Sequence, residues 1–230
     1  MEVDTTRQTR EARLERLREA RLYFVCEGRP GDGDPAPLLD AALRGGVDLI
    51  QLREKAPRCA EELASLAEPF RRAADEHNAL FFLNDHPELV EACGADGVHV
   101  GQDDAPVAAA RALAGPRALV GLSTHSAVQF DAALAATGDA RPDQLSVGPV
   151  WETPTKPGRP AAGLELIAHA AGTAPDVPWF AIGGIDATNI GEVVEAGARR
   201  AVVVRAIRDA RDPEASAREL RDALGMEVTV

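Results

Sequence analysis

The chain has 230 residues, of which 45% are hydrophobic and 27% charged, with a formal net charge of −12. That length and apolar content exclude a disordered chain and suit one large domain with a sizeable core. The negative balance argues against non-specific nucleic-acid binding, which needs a basic footprint.

Residues 1–20, rich in Arg and Glu and without apolar periodicity, predict a solvated helical lead-in. From there short apolar runs recur in the order "RLYFVCE", "VDLIQLRE", "ALFFLND", "DGVHVG", "ALVGLS", "DQLSVGPV", "VPWFAIGGI" and "RRAVVVRAI". Near-continuous apolar runs are what parallel strands covered by helices require. Between them "AEELASLAEPFRRAADEH", "ELVEACGA", "SAVQFDAALAATG" and "ATNIGEVVEAGA" read as helices, several closing on Gly before the next strand. The "GDGDPAP" stretch after the first strand reads as a loop rather than a domain linker.

Eight such βα units without a change of composition predict a single-domain (β/α)8 barrel over residues 21–230, with a doubly wound open sheet as the alternative. Neither a G-x-G-x-x-G after the first strand nor a G-x-x-x-x-G-K-[ST] supports a nucleotide fold. Cys26, Cys59 and Cys93 form no CxxC pair and fit small core residues of a reducing cytosol. With no 18-residue apolar run and no signal-peptide core, the expectation is a soluble cytoplasmic protein without a membrane partner.

In a barrel one strand face packs on helices, the other points inward, and active sites sit at the C-terminal strand ends. Within "DLIQLREK", Ile50 and Leu52 then face helices, Leu49 fills the deep interior, and Gln51, Arg53 and Lys55 climb towards the mouth. Inward charge is costly unless something anionic sits opposite it. The third strand ends in Asn84, Asp85 and His86, and the fourth is followed by Asp103 and Asp104. Carboxylates from neighbouring strand ends supply the hard oxygens Mg²⁺ prefers, although Asp104 also suits an N-cap before "APVAAARALA". The fifth strand ends in "GLSTHS", where His125 is either a general base or a hydrogen-bonded structural residue, and His99 within "GVHV" reads as a satisfied interior histidine.

Thr153, Thr155 and Lys156 in "GPVWETPTKPGRP" suit an anion, or simply form a surface turn. Gly183 and Gly184 let backbone N–H groups approach a ligand where such barrels bind phosphate. The residues alone point to two anion sites at one mouth, one of them metal-bridged, and so to phosphorylated small-molecule substrates.

The set "QLREK", "LNDH", "GVHVGQDD", "GLSTHS", "GPVWETPTK", "AIGGI" and "VVVRAI", in this order from about Leu22 to Ile207, resembles the thiamine-phosphate synthase family. The resemblance implies a (β/α)8 barrel that joins a pyrimidine diphosphate to a thiazole phosphate, releasing pyrophosphate. It implies that Gln51, Leu52, Arg53, Glu54, Lys55, Asn84, Ser123 and Lys156 hold the pyrimidine diphosphate, with Arg53, Lys55 and Lys156 also stabilising the leaving group. Asp85 and Asp104 would hold Mg²⁺. Thr153, Pro154, Thr155, Gly184, Val204 and Arg205 would hold the thiazole phosphate, Arg205 standing where the family usually has Ser. A thiazole tautomerase, in which His125 would matter, and a non-catalytic thiamine-phosphate-sensing barrel are the alternatives. The sequence leaves room for a homo-oligomer.

Overall fold

The computed structural model describes residues 9–54, 59–153 and 160–225. Eight parallel strands close into one barrel in chain order: β1 (Leu22–Cys26), β2 (Leu49–Leu52), β3 (Leu80–Asn84), β4 (Gly97–Val100), β5 (Leu119–Thr124), β6 (Gln144–Val147), β7 (Trp179–Ile182) and β8 (Ala201–Val203). Closure through the β1–β8 pairing, Leu22 opposite Ala201, removes the open-sheet alternative. Around it run α1 (Arg10–Glu19), α2 (Ala36–Arg44), α3 (Ala60–His77), α4 (Val107–Ala114), α5 (Ala127–Ala135), α6 (Gly163–Thr173), α7 (Ile190–Glu195), α8 (Arg205–Arg208) and α9 (Pro213–Gly225). No described helix is long and apolar enough to cross a membrane.

The two-residue period of a strand sorts the core into two shells. Ile50, Leu52, Phe81, Leu83, Val98, Val100, Leu145 and Val147 belong to the outer cluster that strands share with helices. Tyr23, Val25, Leu49, Leu80, Phe82, Leu119, Phe180 and Val202 form a separate cluster inside the barrel. Tyr23 meets Phe180 and Phe82 edge-on, with ring centroids 5.7 and 6.3 Å apart. The expected parity of β2 is therefore observed: Leu49 inside, Ile50 and Leu52 outside.

Helix α1 corrects the expectation of a solvated lead-in. Leu17 is fully buried and Ala20 nearly so within the interior cluster, against which Leu14 also packs. The helix plugs the N-terminal end of the barrel. Its polar composition hid this because Arg10, Arg13 and Arg16 reach protein partners rather than only water. Arg13 donates to the carbonyls of Arg117 (2.9 Å) and Asp96 (3.3 Å), and Arg16 to that of Ala79 (3.2 Å).

The same end carries a collar of aspartates placed just before alternate strands. Asp48 precedes β2 and accepts from the N–H groups of Arg21 (2.7 Å) and Leu22 (3.0 Å). Asp96 precedes β4 and accepts from Phe81 (3.0 Å), and Asp143 precedes β6 and accepts from Val120 (2.8 Å). Each ties its strand to the preceding one, and each meets arginine: Arg221 at Asp48, Arg13 and Arg71 at Asp96, Arg10 and Arg111 at Asp143. Such pairs add little net stability over apolar packing, but removing one partner strands the other.

Three local readings also change. "ELVEACGA" forms only the 3₁₀ turn Pro87–Leu89, because Asp85 and His86 adopt left-handed φ values of 56° and 51° and redirect the chain. Asp104 is not an N-cap: α4 starts at Val107 behind Pro106, and Asp104 Oδ2 accepts instead from the Gly101 N–H at 2.7 Å. Cys26 and Cys93 are buried as expected, but Cys59 is exposed as the N-cap of α3. Burial pushes the Cys26 thiol upward and that of Cys93 up to about 11, so neither is a thiolate near neutral pH.

If α1 is part of the barrel core, Leu17→Ala lowers unfolding free energy by about 2–4 kcal/mol, the cost of a cavity at a fully buried leucine. Urea unfolding followed by far-UV circular dichroism measures this. A change below about 0.5 kcal/mol would return α1 to the surface.

Candidate active site

At the C-terminal end of the barrel lies a cavity of about 320 Å³. Its floor is the point where the interior stops being apolar. Above Leu49, Leu80 and Leu119 the inward positions become Gln51, Asn84, His99, Ser123, Gln144 and Ser146. Of these all but Gln144 line the cavity. Polar groups at this depth need partners, and most of them meet one another. Gln51 Nε2 donates to Tyr23 Oη, His99 Nε2 meets Ser123 Oγ at 2.9 Å, and His99 Nδ1 meets Gln144 Nε2 at 2.7 Å. Burial pushes the Tyr23 phenol far up, so it stays protonated. The Ser123 carbonyl is held from outside by Gln102 Nε2 at 2.7 Å.

Higher on the walls stand Arg53, His125 and Thr153. His125 Nδ1 lies 2.6 Å from the Gly148 carbonyl, which can only accept, so that nitrogen carries a proton. The far wall is backbone: Gly183 at φ 109° and Gly184 at φ 70° turn the chain after β7 in a way that side-chain-bearing residues rarely adopt. A Cβ on Gly184 would meet Trp151 Cβ at 3.0 Å. Val204 and Arg205 complete this wall. The neighbouring Arg208 is committed to Asp209 (2.6 Å) and Glu27 (3.1 Å), which hold it strongly protonated. Arg53 and Arg205, by contrast, make no ion pair among the described residues.

The cavity thus collects Gln51, Arg53, Asn84, Ser123, Thr153, Gly184, Val204 and Arg205. Two expected contacts point elsewhere. Leu52 is fully buried in the outer cluster, because its position in β2 has the outward parity, leaving only its backbone for a ligand. Glu54 Oε1 accepts from the Gly28 N–H at 2.7 Å. Lys55, Pro154, Thr155 and Lys156 lie outside the described residues. Sequence reasoning missed Tyr23, Ser146, Asp186 and Asp209 as lining residues. For Tyr23 and Ser146 strand parity was the available signal; Asp186 and Asp209 lie on loops, where no period applies.

The carboxylates expected to hold a metal stand just beyond the ends of adjacent strands. Asp85 follows β3, its N–H donating to the His99 carbonyl at 2.9 Å and its Oδ2 receiving Asn84 Nδ2 at 2.5 Å. Asp104 follows β4, which pairs with β3 through Asn84 and His99. No cluster of three or more His, Cys, Asp or Glu that could hold a metal occurs among the described residues. Two carboxylates without nitrogen or sulfur fit Mg²⁺, which is commonly held by one or two carboxylates together with substrate phosphates and water.

The family model described as thiamine monophosphate synthase matches residues 22–207. The thiamine-phosphate synthase of Thermobifida fusca is 51% identical over 209 residues, covering 91% of this chain and 94% of that protein. That of Acidothermus cellulolyticus is 51% identical over 203 residues, covering 88% and 94%. Among solved structures, the thiamine phosphate pyrophosphorylase from Pyrococcus furiosus superposes with a TM-score of 0.78 at 29% identity, covering 91% of this chain and 97% of that one. A barrel closed in chain order, a polar mouth built from its strand ends, and matches that span nearly the whole length agree: this chain belongs to the thiamine monophosphate synthase family.

Proposed function

We propose that the chain is a transferase that condenses 4-amino-2-methyl-5-(diphosphomethyl)pyrimidine with 4-methyl-5-(2-phosphoethyl)thiazole, giving thiamine phosphate and pyrophosphate. The observation that carries this reading is one cavity lined from six strand ends by ligand positions that the family resemblance implies. The 51% identity to synthases supports it independently.

The chemistry asks little of the protein in proton transfer. The bond between the pyrimidine methylene carbon and the diphosphate oxygen breaks, and pyrophosphate departs with the electron pair. The thiazole nitrogen lone pair then forms the new carbon–nitrogen bond, and no proton moves. The task is to stabilise negative charge that grows on the leaving group in a site largely closed to water. Arg53 on the cavity wall, with Lys55 and Lys156, would supply that stabilisation, and Gln51, Asn84 and Ser123 would orient the pyrimidine diphosphate. Asp85 and Asp104 would hold Mg²⁺, which when bound supplies Lewis-acid neutralisation of the diphosphate. Thr153 and the backbone of Gly184 and Val204 would hold the thiazole phosphate through N–H groups. The Nδ1 proton of His125, engaged by the Gly148 carbonyl, and the absence of a proton to remove both support a structural role for that residue rather than tautomerase chemistry.

The test is turnover with both substrates. Pyrophosphate and thiamine phosphate are expected in equal amounts, with loss of activity under saturating EDTA; thiazole isomerisation without condensation would replace this reading by the tautomerase. Asp85→Ala and Asp104→Ala are each expected to lower turnover at least ~100-fold. Full activity of either under saturating EDTA would remove the metal from the mechanism.

Arg205 is exposed at the cavity wall, where solvent screens its charge. Arg205→Ser is accordingly expected to keep the chemistry and to raise the KM for thiazole phosphate less than about tenfold, under ~1.4 kcal/mol. A loss of hundreds-fold in steady-state kinetics would make the guanidinium a principal phosphate ligand.

A further inference from the structure

We infer that Gln144 is a positioning residue: it holds His99 in the tautomer that carries its proton on Nε2, so that the Ser123 hydroxyl hydrogen is available to a ligand oxygen in the cavity. This rests on the reading of Ser123 as a contact of the diphosphate; the tautomer itself does not.

Register brings the three residues together. His99 on β4 lies opposite Gly121 on β5, and Gly121 lies opposite Gln144 on β6. Gly121 leaves the middle of that row empty, and His99 and Gln144 meet across it at 2.7 Å. A Cβ on Gly121 would stand 2.5 Å from His99 Nδ1 and would also collide with Gln144 Nε2. One layer nearer the mouth on β5, Ser123 Oγ lies 2.9 Å from His99 Nε2.

The donor and acceptor roles follow from this arrangement. An amide nitrogen can only donate, so His99 Nδ1 accepts from Gln144 Nε2. A neutral imidazole accepting at Nδ1 carries its hydrogen on Nε2 and donates it to Ser123 Oγ. With that oxygen already receiving a hydrogen bond, the hydroxyl's own hydrogen is left for another acceptor, and Ser123 lines the cavity. The opposite amide orientation is disfavoured. Gln144 is fully buried, and its Oε1 has no hydrogen-bond partner among the described residues. Turning the amide would place an NH₂ there, and an orphaned buried N–H group is rarer than an under-satisfied carbonyl. The arrangement has the form of a serine–histidine pair oriented by a third residue. Because that residue here donates rather than accepts, it makes the serine a hydrogen-bond donor, not a nucleophile.

The first experiment is a ¹⁵N spectrum of histidine-labelled wild-type protein without ligand. A protonated Nε2 and an unprotonated Nδ1 at His99 are expected; the reverse tautomer, or an imidazolium at neutral pH, overturns the proposal. In Gln144→Met, which keeps volume but not the amide, the two tautomers are expected to mix. The KM for the pyrimidine diphosphate should then rise about tenfold, as befits loss of one hydrogen bond to a charged acceptor. In a Ser123→Ala background the same substitution should change KM less than about twofold, because its effect passes through that hydroxyl. An undiminished effect in that background would show that Gln144 acts through packing, and the relay would be wrong. Titration of pyrophosphate onto the same proteins reads the same pattern without turnover, so failure of the condensation reaction would not be mistaken for failure of the relay.

Discussion

A β-strand sends successive side chains to opposite faces, and closing eight of them into a barrel turns that alternation into an outside and an inside. The outer positions meet helices and are apolar apart from Thr124, whose hydroxyl donates to the Ser146 carbonyl. The inner positions cannot all be apolar, because the upper ones form the site. In β2 the same face runs from Leu49, packed among Leu80, Phe82 and Phe180, to Gln51 on the cavity floor and Arg53 on its wall. Placing a guanidinium in a partly enclosed cavity, with no ion pair among the described residues, costs free energy that a bound anion would offset.

Such a mouth depends on the other end being shut. Helix α1 contributes Leu17 to the interior cluster, and its Arg10 and Arg13 join the aspartate collar beneath the strands. Asp48, Asp96 and Asp143 each stand one residue before an even-numbered strand and bind the backbone of the odd-numbered strand preceding it. At β8 the device is inverted: the preceding residue is Arg200, which donates to the carbonyls of Ala20 (3.0 Å) and Arg18 (2.8 Å) at the end of α1. Stability is concentrated at the bottom and ligand chemistry at the top, the division expected of this architecture.

The strands were legible because each is a short apolar run with a clear turn signal, and the parity of "DLIQLREK" alone separates Leu49 from Ile50. The role of α1 was not, since its arginines look solvated until the carbonyls and carboxylates that receive them are known. The collar left a trace in "GVDLIQL", "GADGVHV" and "RPDQLSV", but an aspartate before a strand reads equally as a turn residue. Within the site, Gln51 and Arg53 followed from strand position, Asn84 and Ser123 from the family resemblance, and all four line the cavity. Leu52 and Glu54 were carried into the ligand set by the continuity of the "QLREK" motif, whereas alternation turns Leu52 into the outer core and Glu54 binds Gly28. The Gln144–His99–Ser123 row needed cross-strand register, which no single strand's sequence contains.

If the inward charge of β2 exists for a diphosphate, ligand and charge must be energetically linked. Thermal unfolding of wild type and of Arg53→Met, each with and without pyrophosphate and Mg²⁺, measures that linkage directly. Wild type is expected to gain about 2.7 kcal/mol of stability at a ligand concentration 100 times its Kd, and Arg53→Met at the same concentration less than about 0.5 kcal/mol. Without ligand the variant should be at least as stable as wild type, since it no longer confines a charge that has no ion-pair partner among the described residues. Equal stabilisation of the two proteins by pyrophosphate would contradict the account, because the inward charge of β2 would then have no part in holding the diphosphate.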